Sequence, residues 1–453
     1  MSFSVGFSKV NINPPLGAEI LGYYVVRRAK GFLDDLHIRA MAIKNEEKTV
    51  VILTADLCYI VTSVAEEYLD KIVAETGIQR ENIFMTATHT HTATMISPAF
   101  HGFETNDTQI EEYKNFVGSR MVDAIKLALS DLKPAKMGFA TGRAPERIAY
   151  IRRYRMKDGT SFTCPPINDP NIVGPIGELD QRIHVLRFAR EGARDVVIVN
   201  YGIHADTVNG ELVSADFPHW LYKTVDLTLD ADCMFIIGAQ GDVGSTNVHP
   251  SGGDMNDTEI SFDNEMKSPG MARFVGRAIA GTVLQVFDKV EFIEDDRIEI
   301  VHKAVTVKAN NPDPTEMPLA RKYKELHEQG RDDEIPFKAM QLTTAVADAM
   351  RKCRLENGPF EYTIPLMGLK LGPIALVGIP GEPFTEVGVK IKDTDGFSMI
   401  MPCGLVNGSY GYFPVMSAYE EGGYESKTSN YGPGVAEAIV SCGKDILEEL
   451  KER

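Results

Sequence analysis

TVVILTADLCYIVTSVAEEYLDKIVAETGIQRENIFMTATHTH, residues 49–91, decides the fold class. TVVILTADL (49–57) is a nearly unbroken apolar run, the pattern of a strand buried on both faces. Val61, Val64, Tyr68, Leu69, Ile72 and Val73 then recur at helical spacing, and Gly77 supplies a stop. NIFMTATHTH (82–91) reads as a second strand, so the stretch forms a βαβ unit with a parallel pair.

Outward from this unit the theme continues. Helices are predicted over about 108–132, ending before Pro134, from Ser268-Pro269 onward, and over about 434–451. The expectation is an α/β chain of mixed, largely parallel sheets flanked by helices, one domain over 1–453. The irregular, charge-rich segment at about 291–365 reads as a peripheral insertion or subdomain.

Composition narrows the function. With 43% hydrophobic and 25% charged residues the chain is ordinarily globular. A net charge of −17 opposes phosphate backbones, and no basic stripe offsets it, which argues against nucleic acid. The start, MSFSVGFSKVNINPPLG, lacks the marks of an export signal, and the best apolar helix is interrupted by Arg273 and Arg277. A cytoplasmic protein without stable membrane insertion is expected. The six cysteines form no CxxC pair and read as reduced core residues. No feature sets an oligomeric state.

Five apolar runs, VVILTAD, IFMTATHTH, DVVIVNYGIH, CMFIIGAQGD and IALVGIPGE, end in a ligand-type residue, a base or a Gly-rich turn. If their strand ends share one edge, Asp56, His89, His91, His204, Asp242 and Glu382 meet in one crevice. In a strand, His89 and His91 would face one side and Thr88, Thr90 and Thr92 the other. The pair then either starts a metal site or belongs to a hydrogen-bonded polar cluster. His204 closes an apolar strand, and Glu382 sits in the stiff GIPGEP turn; it either ligates or starts a helix. Two histidines and a carboxylate suit an open catalytic zinc site, one ion per chain. Asp56 and Asp242 are expected to orient ligand imidazoles through their second nitrogens. The LGYYVVRRAKGFLDD segment (21–35) places Tyr23, Tyr24, Arg27 and Arg28 at the pocket mouth for an anionic or sugar-like substrate, or on a surface loop.

THTH (88–91), NYGIH (200–204), GDVGSTN (241–247), PGEPFT (380–385) and GLVNGSYGYFPVMSAYEEGGYES (404–426), with DDLHIRAMAI before them, together resemble the neutral/alkaline (non-lysosomal) ceramidase family, in matching order. The resemblance implies that family's catalytic-domain fold, without its immunoglobulin-like C-terminal domain. It implies zinc ligands His89, His204, Glu382 and Tyr412, with His91 beside them to assist proton transfer or polarise the substrate carbonyl. Tyr424 matches a substrate-site tyrosine, and Arg152 an arginine of the family, with Arg153 the competing choice. Asn247 is expected to contact substrate from the GDVGSTN loop, where Gly244 stands in place of the family's serine and one residue is inserted.

The expected function is zinc-dependent hydrolysis of an amide, or an ester or lactone, in a small soluble substrate. Tyr424 or Arg152 would stabilise the oxyanion and His91 would protonate the leaving amine. The alternatives are a zinc lyase or isomerase that polarises a carbonyl, and a binding protein without catalysis.

Overall fold

The computed structural model describes residues 3–98, 106–249 and 267–453. In chain order its main strands are β1 (Phe3–Asn11), β2 (His37–Lys44), β3 (Thr49–Ala55), β4 (Ile83–Ala87), β5 (Lys133–Arg143), β6 (Arg182–Arg190), β7 (Asp195–Tyr201), β8 (Ala231–Ile237), β9 (Ile298–Lys308), β10 (Glu361–Leu371), β11 (Ile374–Gly378) and β12 (Met399–Cys403). The helices that matter for the site are α1 (Thr62–Thr76), α2 (Asp107–Ser130), α3 (Phe217–Thr228), α4 (Pro269–Phe287), α5 (Met317–Glu328), α6 (Ala339–Leu355), α7 (Thr385–Lys392), α8 (Tyr424–Thr428) and α9 (Val435–Glu452).

One local plan occurs three times: an antiparallel hairpin, then a helix, then a strand parallel to the second strand of the hairpin. It is built by β2-β3-α1-β4, β6-β7-α3-β8 and β10-β11-α7-β12. The hairpin turns are short; Asn45 Oδ1 accepts from the Glu47 and Lys48 amides to close the first. Parallel pairing requires a crossover, and it occurs in the two main sheets only where a helix supplies one. Gly77 ends α1 at φ 73°, Asn106 caps α2 by accepting from Gln109, and Ser268 caps α4 ahead of Pro269.

Among the described residues the larger sheet has nine strands, in the order β8-β7-β6-β5-β1-β2-β3-β4, with Glu291–Phe292 added beside β5. The smaller sheet runs β9-β10-β11-β12. The sheets are mixed, as expected, but not largely parallel: β3–β4, β7–β8 and β11–β12 are parallel and the other ladders antiparallel. The expectation generalised from one βαβ unit and missed that each unit begins with a hairpin.

Strand alternation explains the layers. Ile38, Ala40, Ala42, Val51 and Leu53 face α1 to α4, while Met41, Ile43, Val50 and Ile52 face the other sheet, meeting Leu369, Leu371, Leu376 and Met401. The far side of the smaller sheet, through Leu366, Val377 and Ile400, packs on α7 and α9. The order is helices, sheet, sheet, helices, so strands such as VVIL are apolar on both faces.

Segment 291–365 divides. β9 and β10 are integral strands of the smaller sheet, paired over Ile298 to Lys308. What stands out from it is the α5–α6 hairpin, held by Met317, Ala320 and Ala349 and by Leu326, Ile335, Val346 and Met350. Its charged residues are the solvent face of this hairpin, which is why the sequence looked peripheral. Among the described residues no helix is long and apolar enough to cross a membrane.

Candidate metal centre and cleft

The loops after β4, β7 and β11 carry His89, His204 and Glu382 to one point. His89 Nε2 and His204 Nε2 each lie 3.1 Å from Glu382 Oε2, and all three residues are buried. Tyr412 pairs with Glu382 in a short parallel bridge, which brings its hydroxyl to 3.4 Å from His204 Nε2. His91 adds Nε2 at 3.5 Å from that of His89.

The backbone decides which nitrogen bears a proton. His89 Nδ1 is 2.7 Å from the Cys58 carbonyl, and His204 Nδ1 lies 2.9 and 3.0 Å from the carbonyls of Gln240 and Val243. A carbonyl only accepts, so both Nδ1 atoms must donate and both Nε2 atoms present lone pairs. These lone pairs face a carboxylate oxygen that is itself buried without a hydrogen-bond donor. Arg152 Nη1 reaches His204 Nε2 at 3.2 Å, but no donor reaches the Glu382 oxygen, so the cluster suits a further cation between its members, a proton or a metal. Burial opposes a proton on His89, but Glu382 and Cys58 beside it hold its pKa well above the usual imidazole value. Burial likewise opposes the Glu382 anion, which His89 and His204 hold well below the carboxylate range. His204 is pushed down to about 4, by burial first and Arg152 next. The centre thus favours one positive charge, and two imidazoles, a carboxylate and a phenol form a donor set that fits zinc.

His89 has a left-handed backbone at φ 67°, and β4 ends at Ala87. The strand alternation expected for THTH is therefore absent. His89 and His91 converge because the chain turns there, with the amides of Thr88 and His89 bonded to the carbonyls of Ala55 and Leu57. Gly22, at φ 123°, faces His91 so closely that a Cβ there would lie 2.7 Å from the His91 Cβ.

The centre opens on a cleft of about 560 Å³. Tyr23, Tyr24, Tyr59, Tyr410, Tyr412 and Tyr424 line it, with Arg354 from α6 on the wall. Tyr424 shares a hydrogen bond with Tyr24 and stands edge-on to Tyr412 at 5.7 Å between centroids. Behind Tyr412, Arg152 donates to its hydroxyl at 3.0 Å, to the Glu425 carboxylate at 2.8 Å and to the Gly241 carbonyl at 2.8 Å. Burial works against the Arg152 charge, but Tyr412 and Glu425 hold its pKa above the usual value.

Residues 3–217 match the family model for neutral/alkaline non-lysosomal ceramidase, N-terminal. Over its whole length the chain superposes on the neutral ceramidase of Pseudomonas aeruginosa, with a TM-score of 0.74 at 19% identity, covering 100% of this chain and 75% of that one. A ceramidase complexed with C2 gives a TM-score of 0.73 at 18% identity, covering 100% of this chain and 76% of that one. The chain shares the ceramidase fold, and no curated protein sequence matches it.

Several residues of this ceramidase-like chain lie elsewhere than the sequence suggested. Asp56 accepts from the His37 amide, and Asp242 from the amide and hydroxyl of Thr385. Neither orients an imidazole, because backbone carbonyls already occupy both Nδ1 atoms. Arg27 is buried and donates to the carbonyls of Leu21, His91 and Gly210, tying loops together behind the cleft. Arg28 is exposed and pairs with Glu19 at 2.9 Å. Arg153 is buried against Glu421, at 3.1 Å, and the Phe384 ring. Asn247 accepts from the His249 amide within its own loop. These four residues are absent from the cleft wall, whereas Tyr23 and Tyr24 line it.

The sequence reading also missed Asp206, Lys267 and Arg354. Asp206 faces His91 Nδ1 at 3.7 Å and is paired with Lys267 and Tyr23. Burial disfavours its charge, but Lys267 and His91 hold its carboxyl below the usual range. The signal was present in HAD (204–206), the same two-residue spacing as HTH.

Proposed function

We propose that this ceramidase-like chain is a hydrolase that cleaves an amide bond, or a related ester, in a small substrate, using one zinc ion held by His89, His204, Glu382 and Tyr412. The observation that carries the reading is the convergence of two imidazole lone pairs on the donor-less Glu382 oxygen at 3.1 Å. When bound, zinc supplies Lewis acidity towards an acyl oxygen and acidifies a water.

The protein's own groups supply the rest. His91 is held well below the usual imidazole value, by burial against the pull of Asp206, so the ring is neutral at neutral pH, and with Nδ1 turned towards Asp206 its Nε2 takes the part of the base. That nitrogen accepts a proton from the attacking water and passes it to the leaving amine, a role worth roughly 10²- to 10⁴-fold in rate. Tyr424 places a phenol beside Tyr412 for the acyl oxygen. Arg152 acts from behind, fixing the Tyr412 hydroxyl between its guanidinium and His204. The tyrosine wall excludes bulk water while offering hydroxyls, which suits a compact, partly polar substrate.

The test is turnover of N-acyl compounds, esters and lactones in ¹⁸O-water. Hydrolysis places one solvent oxygen in the acid product; a lyase or isomerase places none. Turnover without label in the acid would overturn the proposal.

A further inference from the structure

We propose that Arg354 recognises a carboxylate on the substrate, remote from the scissile bond, and so makes the substrate class an N-acyl compound bearing a free acid. This inference rests on the hydrolase reading for the bond that is cleaved, but not for the recognition itself.

Arg354 lies in the last turn of α6 and lines the same cleft as the metal centre. Among the described lining residues it is the one lysine or arginine, and Glu382, committed to the centre, is the one acid. Apart from the histidines of the centre and Cys58, the remaining polar wall is uncharged: tyrosines, Thr62, Thr428, Ser97, Ser409 and Asn430. Asn430 Oδ1 receives Arg354 Nη2 at 2.5 Å and fixes one edge of the guanidinium. Tyr24, Tyr362 and Tyr431 lie near it, and although the side chain keeps an exposed part, desolvation of the guanidinium lowers its pKa. A single planar fork in a hydroxyl-lined wall matches a carboxylate, which one guanidinium can satisfy with two parallel bonds.

The position of Arg354 is built. Arg351, one turn earlier, is buried and donates to the carbonyls of Lys427 and Asn310 and to Asp348. This ties α6 to α8, the helix that carries Tyr424, so anion site and acyl site are set by one contact. A chain of net charge −17 repels anions at long range. Selection for an acid therefore requires a local cation, and the α5–α6 hairpin delivers one.

N-acetyl-L-phenylalanine and its neutral amide, N-acetyl-L-phenylalaninamide, differ only at the acid and test the proposal. Binding is measured by calorimetry and turnover by amine release, in the metal-loaded full chain and in Arg354→Gln and Arg354→Lys. The expected result is at least about tenfold tighter binding of the acid by the wild type, lost in Arg354→Gln, partly kept in Arg354→Lys, and unchanged affinity for the amide. Equal binding of both probes, no binding of the acid, or equal weakening of both in Arg354→Gln would overturn it. Selective binding without amine release would sink the hydrolase reading and leave the recognition standing; amine release without selectivity would do the reverse.

Discussion

Glu382→Gln removes the anion from the centre while keeping its shape. In the wild type Glu382 Oε2 sits 3.1 Å from two imidazole nitrogens whose Nδ1 protons are committed to carbonyls. At an effective dielectric of about 20, a unit positive charge on His89 gains roughly 5 kcal/mol from Glu382 at that distance. Losing one member of such a buried pair typically costs about 3–5 kcal/mol, so divalent-ion affinity should fall by at least two orders of magnitude. The fold should persist, because the centre lies in loops beyond the strand ends rather than between the two sheets. Competition with a chromophoric chelator measures the affinity, and circular dichroism with thermal melting checks the fold. Wild-type affinity should also weaken as pH falls, since His89 holds its proton against the metal. Zinc affinity within about threefold of wild type in folded Glu382→Gln would refute the reasoning.

A methyl group at Gly22 would lie 2.7 Å from His91 Cβ and 2.9 Å from its Cα, at a φ of 123° that disfavours side chains. Gly22→Ala should therefore displace His91, keep zinc, and lower kcat by about a hundredfold or more; unchanged kcat would remove His91 from the mechanism. Asp180 joins Arg182 and half-buried Lys392 at 2.8–3.0 Å; although burial opposes its charge, these partners hold its carboxyl below the usual range. A depressed carboxyl stabilises the fold above its unfolded pKa and loses that contribution as pH falls towards its folded value. Asp180→Asn should thus cost about 2–3 kcal/mol at neutral pH, with the gap shrinking below about pH 4 in urea titrations. A gap independent of pH would contradict this.

The apolar runs made most of the sheet strands legible, because double-sided burial leaves an unbroken VVIL or MFII signature. The parallel bias was misjudged because hairpins such as β2–β3 and β6–β7 differ from crossovers only in a few turn residues. At the site, the histidines, Glu382 and the tyrosines stood out by chemistry and position. The strand alternation proposed for THTH did not hold, since a left-handed residue at His89 is invisible to periodicity. The imidazole orienters escaped notice because they are carbonyls of Cys58, Gln240 and Val243, which carry no side-chain signal. Arg27 and Arg153 looked like substrate contacts because their type does not reveal that both guanidinium groups are buried in loop-tying bonds. Arg354 is brought to the cleft only by the docking of α6, a tertiary event with no local motif.

Elemental mass spectrometry of the freshly purified chain, beside His89→Ala, tests the metal centre most directly. The expected result is about one zinc per wild-type chain and little in the variant. Metal-free wild-type protein that also fails to take up zinc, or equal zinc in both proteins, would contradict the assignment of these donors.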